Sequence, residues 1–501
     1  MRTAADRVTA LYKTGGSAPV GRVGKRMLRR TVNCGVWMAR HRRINGRMNP
    51  RIGLSRRNFV IGAGASAVIA TPGINAAPGP TIRVQPDSDL QDIPLSIRLS
   101  GFAPRQPVTV MAEMVTREYL RWRSAATFIA CADGGVDIGT TAPVSGSYSG
   151  VSPMGLIWSM VQITWPEWDA PTTSVRLPVA VAFRAEAENG EWAEASVTRA
   201  MAGPGVTFKL LEQDGLRGAW YLPPGDGPHP AVIVLGGSDG GLPVRFGAPL
   251  LASHGYATLA LAYFGLPGLP RGLVNIPLEY FGKAIAHVRA AIAPRNDFIA
   301  VHGTSRGGEL ALLLASLYAD IRAVVAVVPS GVVFGGVGPS EPGDLRPRGA
   351  WTLAGKPLPD MGQNNRYASS WVADPVQRFL NSMRDLDAVE RATIAVERIK
   401  GPVLMVSGRD DQIWPSFELA EIARRRLEEH NHPWPFEHIS YPDAGHGTVP
   451  PYAPTTATTI VHPVTGRAIA FGGTPKGQIE ANVAYWRRTL DFLAEAAAHA
   501  R

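Results

Sequence analysis

The feature that most limits how this chain can fold is a set of short, uninterrupted apolar runs in its second half. Residues 231–235 read Ala-Val-Ile-Val-Leu, and residues 323–328 read Ala-Val-Val-Ala-Val-Val. A strand with one wet face alternates polar and apolar side chains; a strand covered on both faces need not. Similar runs at 257–262, 298–302 and 403–407 alternate with helix-like segments at 278–291, 309–318 and 417–427, and a last helix at 479–498 closes the chain. This alternation predicts a mostly parallel sheet with helices on both faces. Residues 333–395 are the least regular and read as a cap or long loop.

Upstream the texture differs. Between 81 and 200, strand-like runs at 95–99, 107–111, 124–130, 156–164 and 175–185 are separated by Gly, Pro, Asp and Ser clusters. That spacing, without a long helical period, predicts a β-sandwich of immunoglobulin-like size. The paired cysteines and core Trp of true immunoglobulin domains are absent, so only the architecture is implied. Gly203-Pro204-Gly205 marks the change of texture. The expected division is a basic leader over 1–77, a β-sandwich over 78–205 and an α/β domain over 206–501.

A net charge of +10 would ordinarily raise nucleic acid or an anionic membrane as a partner. Its distribution argues otherwise. Residues 1–77 hold 15 of the 51 Lys and Arg but one of the 41 Asp and Glu, so the leader carries +14 and the rest −4. Within the leader, Ser55-Arg56-Arg57-Asn58-Phe59-Val60 resembles a twin-arginine export signal. It precedes a mildly apolar run over 60–70 and the small residues of Asn75-Ala76-Ala77, the order of a cleaved signal. The run is too short for a membrane span, which needs ~20 residues. The expectation is export, with cleavage somewhere in 70–77 and translation starting at Met48, eight residues before Arg56. A functionless leader would leave the protein in the cytoplasm. Of two cysteines, Cys34 lies in the leader and Cys131 beyond it, so the body has no internal disulfide and no cysteine metal pattern. No cofactor or metal is expected.

The chemistry is concentrated at Gly303-Thr304-Ser305-Arg306-Gly307-Gly308, which follows the run at 298–302 and opens a helix. This is the strand–turn–helix setting of a nucleophile elbow. The turn is tight, and side chains at the glycine positions would strike the neighbouring strand or helix. A second match, Gly236-Gly237-Ser238-Asp239-Gly240, also follows a strand. Gly241-Leu242-Pro243 then makes a poor helix start, so Ser238 reads instead as part of an anion-stabilising loop. Backbone N–H groups near Ser238 and that of Arg306 would face a developing oxyanion.

A serine hydroxyl needs a base, and the base needs an orienting acid. The acid follows the run at 403–407, in Ser407-Gly408-Arg409-Asp410-Asp411-Gln412; Asp411 is the better placed, with Asp410 left as its alternative. The base is His446, in the glycine-flanked Ala444-Gly445-His446-Gly447. The other ten histidines fit less well. His302 reads as a buried, hydrogen-bonded strand residue, and His430, His432 and His438 cluster without an acidic spacing that would suggest a metal.

These residues look like those of a known family, the acyl-CoA thioesterases and bile acid-CoA:amino acid N-acyltransferases. Besides the elbow, the resemblance rests on Gly101-Phe102-Ala103-Pro104, Ala132-Asp133-Gly134-Gly135, Met154-Gly155-Leu156-Ile157-Trp158-Ser159-Met160, Gly240-Gly241-Leu242, Leu278-Glu279-Tyr280-Phe281, residues 410–416, Gly445-His446, Pro450-Pro451-Tyr452 and Gly472-Gly473, in order over roughly 90–500. The resemblance implies a β-sandwich joined to an α/β-hydrolase domain and a triad of Ser305, Asp411 and His446. It also implies hydrolysis over acyl transfer to an amine, because conjugating members carry Cys where this chain has Ser305. The expected substrate is a small acyl thioester or ester. One departure stands out: acyl-CoA is cytoplasmic, whereas the leader resembles an export signal. An exported carboxylesterase or lipid ester hydrolase, an amine acyltransferase, and a non-catalytic binding protein of the same fold are the alternative readings.

Overall fold

Eight strands from Thr207 onward form one sheet. In chain order they are β1 Thr207–Gln213, β2 Leu216–Leu222, β3 Ala231–Leu235, β4 Ala257–Ala262, β5 Ile299–Thr304, β6 Ala323–Val327, β7 Val403–Gly408 and β8 Phe436–Tyr441. Their order across the sheet is β1-β2-β4-β3-β5-β6-β7-β8. β2 runs antiparallel to both neighbours, and every pair from β4 to β8 is parallel. This is the strand order of an α/β-hydrolase. The computed structural model describes residues 79–85, 89–115, 120–163, 178–338, 348–367 and 374–500. The leader, with its arginine pair, cleavage region and Met48, lies outside the described residues.

The apolar runs explain the layering. Every residue of β3 to β7 is buried, as strands sandwiched between helices must be. The helices are α1 Ala248–Ser253, α2 Glu279–Ile292, α3 Arg306–Leu317, α4 Pro375–Ser382, α5 Leu386–Ala392, α6 Ser416–Glu429 and α7 Pro475–His499. On one face Phe281, Ile285 and Val288 of α2, Leu310 and Leu314 of α3 and Leu427 of α6 pack on Ile233, Val301 and Met405. On the other, Leu250 and Leu251 of α1 and Tyr485, Trp486 and Leu493 of α7 pack on Val232, Val234 and Val325. Residues 333–395 are less of a loop than their sequence suggests. They hold the short strand Trp351–Leu353 as well as α4 and α5, each helix capped by an aspartate, Asp374 and Asp385.

Between residues 81 and 199 the strands are antiparallel. A three-stranded sheet joins Thr81–Gln85, Ser96–Ser100 and Val136–Asp137, and a larger one is built on Pro107–Val115, Arg121–Ile129, Val179–Ala187 and Trp192–Arg199. Alternate residues of both sheets enter one core: Ile97 and Leu99, Val108 and Val110, Ala126 and Phe128, Val181 and Phe183. The strand expected over 156–164 is instead a helical turn, Gly155–Trp158, followed by the short strand Val161–Gln162. Leu156, Ile157 and Trp158 are all buried, and a run this short carries no period to separate strand from helix. Gly155 is seated on the Tyr148 ring, where a Cβ would lie 2.2 Å from Cζ.

His302, in β5, departs from the expectation of a hydrogen-bonded histidine. Its strand neighbours are Val234 and Val325, it is fully buried, and among the described residues neither ring nitrogen has a partner. Burial drives its pKa down to about 4. The unfolded imidazole takes up a proton near pH 6.5, the folded one only near 4. The stability of the neutral ring is therefore complete above 6.5 and is lost as pH falls through that window, by on the order of 3 kcal/mol. Buried Glu309, whose carboxyl is pushed up to about 7, works in the opposite sense as pH falls, so the loss is read by difference: denaturant unfolding between pH 7 and 4 should show the parent losing stability relative to His302→Leu.

Candidate active site

Three loops at the carboxyl ends of β3, β7 and β8, together with the β5–α3 turn, meet at one cavity of about 290 Å3. The turn comes first because its backbone is the most constrained. Ser305 sits between β5 and α3 at φ 60°, ψ −122°, a sparsely populated region for a residue with a side chain. It is held there by its N–H to the Val327 carbonyl at 2.8 Å and by its own carbonyl, which accepts from Gly308 and Glu309 N–H at 2.8 and 3.1 Å. The flanking glycines are steric necessities. A Cβ on Gly303 would lie 1.9 Å from the Gly307 carbonyl oxygen, and one on Gly307 would lie 2.3 Å from that of Gly236.

The first turn of α3 is anchored below. The buried Arg306 guanidinium donates to the Phe334 carbonyl at 2.8 Å and lies 3.2 Å from the Glu309 carboxylate. Glu309 also accepts from Trp351 Nε1 at 2.8 Å and from Phe334 N at 3.3 Å. Full burial pushes the Glu309 carboxyl up to about 7, against the pull of Arg306 and these donors. The Arg306 side chain thus faces the cap. Its backbone N–H, at the first position of α3, has no intrahelical acceptor.

The acid and base come from the loops after β7 and β8. Asp411 Oδ2 is 2.7 Å from His446 Nδ1, and both residues are buried. Asp411 Oδ1 accepts from Ile413 and Trp414 N–H at 3.0 and 3.3 Å, which fixes the carboxylate. Asp410 points elsewhere, to Gln412 Nε2 at 2.6 Å and Gly473 N at 2.9 Å. The geometry therefore pairs Asp411, not Asp410, with the imidazole. With Nδ1–H donated to the carboxylate, the lone pair is on Nε2. Ser305 and His446 line the same cavity.

Ser238 follows β3, and no α-helix begins until Ala248. The loop passes directly over the serine: a Cβ on Gly237 would lie 3.1 Å from Ser305 Cβ and 3.4 Å from its Oγ. Tyr263 beneath it was not singled out from sequence. Its hydroxyl donates to the Gly236 carbonyl at 2.6 Å and approaches that of Gly237 at 3.4 Å. A trans peptide points its N–H opposite its C=O, so drawing these carbonyls toward Tyr263 turns the N–H groups of Gly237 and Ser238 away from it. Burial raises the Tyr263 pKa and keeps the hydroxyl a donor. Gln478, whose Oε1 accepts from Gly445 N at 3.0 Å beside the cavity, was likewise not anticipated. No spacing rule marks either residue.

Phe246, Ile413, Val449, Ile460, Ile469 and Phe471 give the cavity apolar walls. A second Ser–His–carboxylate chain exists elsewhere. Ser407 Oγ lies 2.7 Å from His438 Nε2, and His438 Nδ1 lies 2.7 Å from Glu421 Oε1. Ser407 is buried on β7 and does not line this cavity. This chain, with His432 bonded to the Gly401 carbonyl, accounts for two members of the histidine cluster. Among the described residues no group of three or more His, Cys, Asp or Glu could hold a metal, and no helix is long and apolar enough to cross a membrane.

Comparison with known proteins agrees with this architecture. Residues 92–213 match the model of the acyl-CoA thioester hydrolase/BAAT N-terminal region, and residues 276–499 that of the BAAT/acyl-CoA thioester hydrolase C terminal. Acyl-coenzyme A thioesterase 6 of Mus musculus is 33% identical over 419 residues, covering 82% of this chain and 96% of that protein. The peroxisomal succinyl-coenzyme A thioesterase of Mus musculus is 31% identical over 422 residues, again 82% and 96%. Acyl-coenzyme A thioesterase 2, mitochondrial, of Rattus norvegicus is 31% identical over 419 residues, 82% of this chain and 88% of that one. With both family regions in order and relatives aligned over nearly their whole length, the chain belongs to the acyl-CoA thioester hydrolase/BAAT family.

Proposed function

We propose that this protein is a serine hydrolase of acyl-CoA-type thioesters, with Ser305 as nucleophile, His446 as base and Asp411 as its orienting acid. The observation that carries the reading is the 2.7 Å Asp411–His446 contact on a cavity also lined by Ser305. His446 Nε2 takes the Ser305 proton as Oγ bonds to the acyl carbon. The C–S bond then breaks, and the thiol leaves with the proton held by His446. Water, deprotonated by the same imidazole, attacks the oxyester and frees the carboxylic acid and Ser305. The N–H groups of Arg306 and of the Gly237–Ser238 stretch stabilise the tetrahedral oxyanion. Serine rather than cysteine favours hydrolysis over transfer to an amine, because an oxyester is less reactive toward amines than a thioester. In this reading the amino-terminal sheets form an immunoglobulin-like sandwich over 78–205, and the hydrolase domain runs from 206 to 501.

A fluorophosphonate probe should label Ser305, as read by peptide mass mapping. With palmitoyl-CoA, Ser305→Ala and Asp411→Asn should each lose about 10^4-fold or more in kcat. Asp410→Asn and Ser407→Ala should stay within about fivefold of the parent, being surface and buried structural positions. Tyr263→Phe should lower kcat about tenfold at little change in KM, since the lost hydroxyl aims oxyanion donors rather than binding substrate. Full activity in Ser305→Ala would overturn the mechanism.

From Ser55-Arg56-Arg57-Asn58-Phe59-Val60 we place the mature enzyme outside the cytoplasm. An exported ester or lipid then becomes a candidate substrate beside acyl-CoA. Amino-terminal sequencing of the native protein should find the chain cleaved somewhere in 70–77. A native peptide from residues 1–47 would contradict both the cleavage and a start at Met48.

A further inference from the structure

The segment after His446 does more than close the cavity. Thr459–Val461 and Ala468–Ala470 form a small antiparallel hairpin. At its base, the Phe471 carbonyl accepts from His446 N at 2.8 Å and from Gln412 N at 3.2 Å. Gly472 and Gly473 then bridge to Asp411 and Ala444. One end of the hairpin is thus fixed to both the acid loop and the base loop. At the other end, His462 reaches 224 positions back along the chain: its Nε2 lies 2.9 Å from Ser238 Oγ.

The bonds of His462 settle which nitrogen holds the proton. Nδ1 accepts from Val464 and Thr465 N–H at 3.2 and 3.3 Å, so it must present a lone pair. Nε2 therefore carries the hydrogen and donates it to Ser238 Oγ. The residue is 8% exposed. Ser238 belongs to the loop that crosses Ser305, while its side chain is committed to His462.

We propose that His462 is a positioning residue for thioester hydrolysis: through Ser238 it fastens the oxyanion loop to the hairpin that also holds Asp411 and His446. The proposal rests on the triad reading above. Tyr263 holds the loop from below and His462 holds it from the rim. The N–H groups over Ser305 are then referenced to the same rigid piece as the base. A loop released at Ser238 would keep its fold but lose register with the serine, and such donors are effective only within a few tenths of an ångström.

Two substitutions separate positioning from turn structure. His462→Asn retains an acceptor near Nδ1 for the Val464 and Thr465 amides but cannot reach Ser238. His462→Gln places an N–H donor near Nε2 and restores the link. With palmitoyl-CoA, His462→Asn should lose about tenfold to a hundredfold in kcat with KM changed less than about threefold. His462→Gln should stay within about threefold of the parent. Ser238→Ala should match His462→Asn, and the double variant Ser238→Ala/His462→Asn should be no worse than either single change, because both break one link. Parental kcat in His462→Asn, failure of His462→Gln to recover activity, or multiplying losses in the double variant would each overturn the proposal. Fluorophosphonate labelling of the parent distinguishes this from failure of the triad. Without label on Ser305 both readings fall; with it, a fully active His462→Asn removes the fastening alone.

Discussion

The site depends on one close approach of backbone to backbone. Gly307, in the first turn of α3, lies against the carbonyls of Leu235 and Gly236 at the end of β3, where a Cβ would stand 2.6 and 2.3 Å away. Nothing larger than hydrogen fits. That contact sets how near the loop after β3 can come to the β5–α3 turn, and so places Gly237 over Ser305. It also explains why Ser305 tolerates an unfavourable backbone conformation. The turn is gripped by β6 through the Val327 carbonyl, by α3 through two amides, and by β3 through the glycine contact. Packing on both sheet faces fixes those strands, so the strain is distributed over a rigid frame.

The charges around the turn serve position rather than chemistry. Arg306 and Glu309 are both buried one turn apart, and a buried pair is weak evidence for stability because desolvation offsets attraction. Their bonds to Phe334 and Trp351 tie α3 to the segment that covers it. Removing one partner would strand the other in an apolar layer. Catalytic variants here therefore need a folding control before any loss is assigned to the oxyanion.

What sequence could and could not reveal follows from range. Ser305 was legible because the elbow is local: glycines two before and two after it answer to sterics within one turn. The strands β3 to β7 were legible because burial on both faces leaves an unbroken apolar run. Asp410 and Asp411 could not be separated, since adjacent carboxylates in a loop differ only in backbone direction. The amides of Ile413 and Trp414 turn one of them toward His446. The edge strand β1 and its neighbour β2 were missed: β1 exposes six of its seven residues and shows no regular alternation. Gly155–Trp158 was mistaken for strand because four buried residues have no readable period. Tyr263 and His462 are placed by hydrogen bonds across 27 and 224 positions, and no spacing rule reaches that far.

The Ser407–His438–Glu421 chain shows why residue types alone never identify the site. Its heavy-atom distances rival those of the Asp411–His446 pair, and its order of groups is that of a triad. Yet Ser407 lies inside β7 in ordinary extended backbone, with no turn to lift its oxygen, and it does not line the cavity that Ser305 lines. A polarised hydroxyl without room for an acyl carbon, and without amides facing the oxygen that carbon would bear, lowers no barrier. The distinction between the two constellations is therefore geometric. A strained turn, a glycine-lined approach and an open crevice coincide in this chain at Ser305, and that coincidence is what the proposed mechanism rests on.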